Sequence, residues 1–294
     1  MSQPTPDGAF VLAGTHSGCG KTTVTLGLLA ALGRRGIAVR PFKCGPDFID
    51  PTLHQWVTGR RSRNLDPWMA GAAFTRQSFA GHCRPGEVGV IEGVMGMFDG
   101  DDSSAAALAR LLGVPVVLVL DVRAAAASAA AVLKGFESLE PAVAPAAVIL
   151  NRVGSQRHLA LLRRAIEEHC RAEIIGYLPR ELEFSIPHRH LGLYMGEEGP
   201  LAAEGLDKLA AAVDEYIDLS RLLELAKVGA VAGSFGAAGQ LGETAEPTKP
   251  VGADPSARYS SFSADILSAS EAAAASGHPC PSGGGRNPLN RADE

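Results

Sequence analysis

Short runs of consecutive apolar residues recur along the first two thirds of the chain, at residues 10–13, 37–42, 88–91, 114–120, 146–150 and 173–177, each bounded by turn-forming residues. Runs with little polar alternation suit strands covered on both faces, as in a parallel sheet. Between most of them the apolar positions return with helical spacing, which predicts helices over 22–35, 71–82, 103–112, 124–136, 156–169 and 201–226. The alternation predicts an α/β domain built on a doubly wound, mostly parallel sheet, with helices on both faces and ligands at the carboxyl ends of the strands.

From residue 228 to residue 294 this periodicity fades. More than half of that stretch is Gly, Ala, Ser or Pro, a composition that buries too little apolar surface to offset chain ordering, and only residues 265–275 keep a brief helical pattern. The expected organisation is a disordered N-terminus over 1–7, one nucleotide-handling domain over 8–227 and a low-complexity, disordered tail over 228–294. The alanine-rich run at 124–131 is read differently, because alanine beside a strand is a strong helix former.

Composition narrows the partners. The 294 residues are 46% hydrophobic and 20% charged, enough for one large core or two modest ones, and the net charge of −5 with a pI near 5.9 leaves no basic footprint for nucleic acid. No apolar run approaches the roughly 20 residues that span a bilayer, so no membrane partner and a cytoplasmic location are expected. Five cysteines, at positions 19, 44, 83, 170 and 280, are odd in number and lack a CxxC pair, so reduced thiols are expected and no zinc site.

The first candidate chemistry follows the first apolar run. Gly14-Thr15-His16-Ser17-Gly18-Cys19-Gly20-Lys21-Thr22-Thr23 stands between a strand and a helix, the setting of a phosphate-binding loop. Small residues such as Gly18 and Gly20 let backbone N–H groups turn inward as an anion nest, Lys21 brings a mobile charge to β- and γ-phosphates, and the Thr22 hydroxyl suits Mg²⁺. Thr23 completes the helix start. The spacing is a variant, with Thr15 where the plain Walker pattern has its first glycine. Glycine-rich turns also arise wherever helices pack on sheets, yet Gly-Lys-Thr-Thr at a strand exit favours ATP or GTP.

Two further loops add charge. Pro41-Phe42-Lys43-Cys44-Gly45-Pro46-Asp47-Phe48-Ile49-Asp50-Pro51 leaves the second strand with Lys43, Asp47 and Asp50 on a backbone stiffened by prolines, able to grip phosphate, Mg²⁺ or substrate; a solvated polar turn is the plainer reading. Glu92-Gly93-Val94-Met95-Gly96-Met97-Phe98-Asp99-Gly100 places Glu92 at a strand end. Thr22, Asp47 and Glu92 together offer the hard oxygens that Mg²⁺ prefers. Asn151, ending the run Ile149-Leu150-Asn151, could meet a purine edge or sit in an Asx turn. His188 and His190 lack a third ligand, so no metal site is expected there.

Taken together, residues 14–23, 41–51, 91–100, Asn64-Leu65-Asp66-Pro67-Trp68-Met69, Asn151-Arg152-Val153-Gly154 and His190-Leu191-Gly192-Leu193 resemble the cobyrinic acid a,c-diamide synthase family over residues 10–226. The resemblance implies a P-loop NTPase fold of the dethiobiotin synthetase type. It implies ATP-dependent amidation of the a and c carboxylates of cobyrinic or hydrogenobyrinic acid through acyl phosphates, in cobalamin biosynthesis. Carried over by position, Lys21 would hold the β- and γ-phosphates, Thr22, Asp47 and Glu92 would hold Mg²⁺, and Lys43 would neutralise the transferring phosphoryl group. Asp50 and Asp99 would orient the corrinoid substrate and Asn151 would read adenine.

Family members usually continue into a glutaminase domain. Here the one late cysteine, Cys280, sits in Pro279-Cys280-Pro281 without a strand-turn-helix setting, so glutamine hydrolysis by this chain is not expected. Ammonia would come from solution or from a separate glutaminase subunit, and the alternative is a truncated product. Nickel sirohydrochlorin as substrate and a homodimer both stay open. A partitioning or switch-type ATPase, or an inactive nucleotide-binding remnant, are the competing readings; switch ATPases usually carry lysine where this chain has His16.

Overall fold

The computed structural model describes residues 7–182 and 199–232, with side chains at 7–182 and 203–227. All lie in the first of two units, residues 1–251. Residues 1–6, His188, His190 through Leu193, Cys280 and the tail from residue 233 lie outside the described residues.

Seven strands, β1 (Gly8–Gly14), β2 (Ala38–Cys44), β3 (Arg63–Leu65), β4 (Glu87–Glu92), β5 (Val116–Asp121), β6 (Ala147–Val153) and β7 (Glu173–Pro179), form one parallel sheet in the order β3-β2-β4-β1-β5-β6-β7. The apolar runs are buried on both faces because alternate residues serve different cores. In β1, Ala9, Val11 and Ala13 face one core while Phe10 and Leu12 face the other; in β5, Val116, Leu118 and Leu120 alternate with Val117 and Val119 in the same way. The doubly wound α/β expectation is met.

Helices cover both faces. On one side lie α4 (Ala72–His82), α5 (Ala105–Leu112), α6 (Ser128–Leu139) and α7 (Gln156–His169); on the other lie α1 (Lys21–Arg34), α2 (Asp50–Thr58), α8 (Gly199–Tyr216) and α9 (Leu219–Ala232), with the short α3 (Pro67–Ala70) before α4. Helix α5 starts at Ala105 because the Ser104 hydroxyl accepts from Ala107 N, and α7 starts after Ser155, whose hydroxyl accepts from His158 N. Helix α6 begins four residues later than its alanine run predicts: His158 Nε2 lies 2.6 Å from Ala125 O, and Ala125 N closes a turn on Val122 O.

Two expectations are corrected. The single helix over 201–226 is two helices, because Ile217 forms an antiparallel bridge with Gly176, Asp218 N donates to Ile175 O, and Asp218 Oδ1 then accepts from Arg221 N to start α9, which runs on to Ala232. The loop over 41–51 ends inside α2 rather than in a turn: Asp50 is the first helical residue and Pro51 takes the first turn, where its missing N–H costs nothing.

Candidate functional site

Strand register assembles the site. Lys43 and Glu92 are Cα partners on β2 and β4, Leu12 and Glu92 are partners on β1 and β4, and Lys43 pairs in turn with Asn64 on β3. The loop after β1, the charged end of β2 and the carboxylate ending β4 therefore lie side by side at the carboxyl edge of the sheet. On the far side of β1, β5 and β6 bring Asp121 and Asn151 into register.

The glycine-rich loop turns where Gly18 and Gly20 adopt φ of 83° and 99°, conformations that residues with a Cβ avoid. Gly20 precedes the first turn of α1, aiming the helix N-terminus at the loop interior. A Cβ on Gly20 would lie 2.1 Å from the Asn151 amide nitrogen, so glycine also permits a close approach. Lys21 is buried and its Nζ donates to His16 O (3.3 Å) and to Met95 O, folding back over the loop. Thr23 is half-buried on the first turn of α1.

The charged cluster sits one strand away. Lys43, its side chain 3% exposed, donates from Nζ to Asp50 Oδ2 (2.6 Å) and Gly93 O (3.1 Å), and lies 3.4 Å from Glu92 Oε1 and 3.8 Å from Asp47 Oδ2. Thr22 Oγ1 donates to the same Glu92 Oε1 at 2.7 Å, which links the phosphate-binding loop to this cluster. Burial disfavours the Lys43 charge, but the carboxylates of Glu92, Asp50 and Asp47 outweigh it and hold the ammonium above the ordinary lysine range. Burial likewise raises Glu92, yet Lys43 and hydrogen bonds from His54 and Thr22 keep it well below the usual carboxylate range. Asp50 goes the other way, pushed up to about 6 by burial and the Glu92 charge against the pull of Lys43.

The remaining predicted residues are placed as follows. Asp47 Oδ1 accepts from Ile49 N and Asp50 N and so fixes the entry to α2, leaving Oδ2 toward Lys43. Asp99 Oδ2 accepts from Gly96 N and closes its own loop, which Met97 N anchors on Gly14 O; no described contact joins Asp99 to the Lys43 cluster. Asn151 donates from its amide to Cys19 O (2.8 Å), which bonds it to the phosphate-binding loop and leaves its carbonyl as the acceptor. Beside it, Arg152 holds φ of 65° while its guanidinium donates to Gly18 O (3.1 Å) and Asp121, so backbone strain at this edge is tied to the loop. Cys44 is buried and its thiol is pushed up to about 12, which agrees with an inert role.

Sequence reasoning missed His54. It is fully buried on α2, with Nε2 2.7 Å from Glu92 Oε2 and Nδ1 3.0 Å from Ser62 Oγ. The signal available was Pro51 at a helix start, which would have turned the residues after the loop into a helix pointing back at the strand ends.

A rim of apolar side chains borders the cluster in sequence: Phe48 is 85% exposed and Trp68 74%, with Ile49 and Met69 also exposed. Trp68 and Met69 are carried on α3, whose first turn is held by Asp66 Oδ1 accepting from Trp68 N and Met69 N.

The donor set suits Mg²⁺. Thr22 Oγ1 and Glu92 Oε1 are 2.7 Å apart, near the ~3 Å edge of an octahedron of oxygens at ~2.1 Å. Among the described residues no three His, Cys, Asp or Glu side chains form a self-sufficient metal cage, and Mg²⁺ bound through one or two carboxylates and phosphates needs none.

A parallel sheet whose first strand opens through a glycine-lysine-threonine loop into a helix, beside a carboxylate on the neighbouring strand, defines a P-loop nucleotide-binding domain. Residues 10–193 match the CobQ/CobB/MinD/ParA nucleotide binding domain, and the chain belongs to that family. Cobyrinate a,c-diamide synthase of Salmonella typhimurium is 42% identical over 228 residues, covering 76% of this chain and 50% of the relative. The protein of that name from Streptococcus sanguinis is 44% identical over 228 residues, covering 74% and 50%. The chain spans about half the length of the curated relatives it matches. Among solved structures, chloroplast FtsY from Physcomitrella patens aligns over 71% of this chain and 66% of its own, at 14% identity and a TM-score of 0.44. No helix among the described residues is long and apolar enough to cross a membrane.

Proposed function

We propose that residues 8–227 form an ATP-dependent amide-ligase domain that activates the a and c carboxylates of cobyrinic or hydrogenobyrinic acid. The observation that carries this reading is the Lys43 cluster: a buried ammonium held by Asp50 beside Glu92, itself bonded to Thr22 of the phosphate-binding loop. A switch ATPase needs no buried cation on β2, whereas phosphoryl transfer to an anionic acceptor needs charge neutralised between two negative reactants. The exposed Phe48 and Trp68 favour a large apolar acceptor over a small polar one.

In the proposed reaction a substrate carboxylate oxygen attacks the γ-phosphorus of ATP, the bond from that phosphorus to the β–γ bridging oxygen breaks, and ADP leaves. Ammonia then attacks the acyl carbon, phosphate departs, and the amide nitrogen loses a proton. Lys21 and the backbone N–H groups around Gly18 and Gly20 hold the phosphates. Lys43 sits toward the transferring group, and Asp50 fixes its ammonium. Thr22, Glu92 and Asp47 would hold Mg²⁺, which supplies further charge neutralisation when bound. The Asn151 carbonyl is suited to accept from the exocyclic amine of adenine, favouring ATP over GTP. Ammonia comes from solution or a separate glutaminase subunit.

The test is mass spectrometry of cobyrinic and hydrogenobyrinic acids incubated with the purified chain and Mg·ATP, in parallel with ammonium or glutamine. Diamide with ammonium and none with glutamine is the expected result. ATP binding with no product from either nitrogen source overturns the ligase reading for these substrates.

A further inference from the structure

Helix α2 carries a buried histidine to the carboxylate that ends β4. Glu92 accepts from the Thr22 hydroxyl on Oε1 and lies beside the Lys43 ammonium, so the group facing His54 is an acceptor, and His54 Nε2 must carry the ring proton that bonds Oε2. Nδ1 lies 3.0 Å from the Ser62 hydroxyl, which holds the other edge of the ring. Ser62, His54, Glu92 and Thr22 thus form one chain of hydrogen bonds with a single ring orientation and a single carboxylate orientation.

We infer that His54 is a positioning residue that pins Glu92 Oε2, so that Oε1 is presented toward Thr22 and the nucleotide. The inference rests on the proposed role of Glu92 as a Mg²⁺ ligand. Two geometric facts carry it. Each oxygen of Glu92 has donors from different elements: Thr22 of α1 and Lys43 of β2 on Oε1, His54 of α2 on Oε2. In addition, His54 lies on the same nine-residue helix that opens with Asp50, the partner of Lys43, so one rigid element fixes both the cation and the carboxylate. Outer partners of metal ligands typically change metal affinity by about 10- to 100-fold when removed, because the ligand rotates out of position.

The experiment titrates the full chain with a fluorescent ATP analogue, with and without Mg²⁺, and reads the gain in affinity that Mg²⁺ confers. Glu92→Gln should abolish the gain. His54→Phe should lower it about tenfold while metal-free affinity stays within about twofold, and His54→Gln, whose amide can donate to the same oxygen, should recover most of it. A folded His54→Phe with the wild-type gain overturns the inference and leaves Glu92's role standing; a wild-type chain with no Mg²⁺-linked gain overturns the reading of Glu92 itself. Should His54→Phe fail to fold, Ser62→Ala decides. Loss of the hydrogen bond that orients the ring should lower the gain about threefold, the size of one modest hydrogen bond, and an unchanged gain overturns the inference.

Discussion

The two halves of the site lie at one edge of one sheet and are built by opposite means. Around Gly18 and Gly20 the chain uses backbone: positive φ, a helix N-terminus and a lysine folded onto carbonyls, in a loop whose residues 16–18 are exposed. Around Lys43 it uses side chains: a 3% exposed ammonium and a fully buried carboxylate in register on adjacent strands. A backbone nest asks of its ligand only negative charge of the right size, and every nucleoside triphosphate supplies that. Buried charges are costly to desolvate and add little net stability, so their retention points to chemistry rather than to folding. In the proposed reaction the generic half binds the nucleotide and the specific half selects the acceptor chemistry.

The sharpest way to break that comparison is Lys43→Gln, which keeps a donor toward Asp50 and Gly93 while removing the charge. Acyl-phosphate formation should fall about 1,000-fold, as expected for loss of a preorganised charge at a developing one, with ATP affinity within about threefold of wild type. Rapid-quench detection of hydroxylamine-trapped product measures the first and calorimetry the second. Comparable turnover would take Lys43 out of the mechanism. Alanine is the poorer variant, since it leaves Glu92 buried with less compensation and mixes stability into the readout.

The complementary change falls on the backbone half. Gly20→Ala must accommodate a Cβ 2.1 Å from the Asn151 nitrogen at a φ of 99°, which costs about 2 kcal/mol and should weaken ATP binding about 30-fold. If the comparison is right, the residual phosphoryl-transfer rate at saturating ATP stays within about fivefold of wild type, because Lys43 and Glu92 are untouched. Titration followed by single-turnover kinetics separates the two. An equal loss in rate would mean that the halves are not separable.

The same division decided what the sequence revealed. The nucleotide half was legible because its chemistry is contiguous: residues 14–23 follow an apolar run directly, and β1 and α1 form where that run and the spacing place them. Glu92 was legible for the same reason, ending β4. Helix α2 was not, because it has nine residues and its apolar stripe, Leu53, Trp56 and Val57, spans little more than one turn after a proline-rich loop. Pro51 reads equally as a turn former and as a first-turn helix residue. The break at Ile217 was invisible because apolar spacing continues through it; a backbone bridge to Gly176, a contact 41 positions away in the chain, ends α8 there. Local pattern reports local structure, and the Lys43 half is assembled from register between strands that are distant in sequence.

The smallest effect expected probes whether α3 belongs to the proposed acceptor surface or only borders it. Asp66 Oδ1 accepts from Trp68 N and Met69 N, the free donors of a four-residue helix that carries the exposed Trp68. Asp66→Ala removes that cap and should cost about 1 kcal/mol in urea-induced unfolding. Nothing in its described contacts reaches the phosphate-binding loop, so ATP affinity should not change. The informative quantity is KM for the proposed corrinoid acceptor. If Trp68 forms part of the acceptor surface, a frayed α3 raises KM about threefold at unchanged kcat, because an apolar contact made equally in ground and transition states affects binding alone. An unchanged KM would confine the acceptor surface to the β2 side, leaving Phe48 and Ile49 as its apolar contacts.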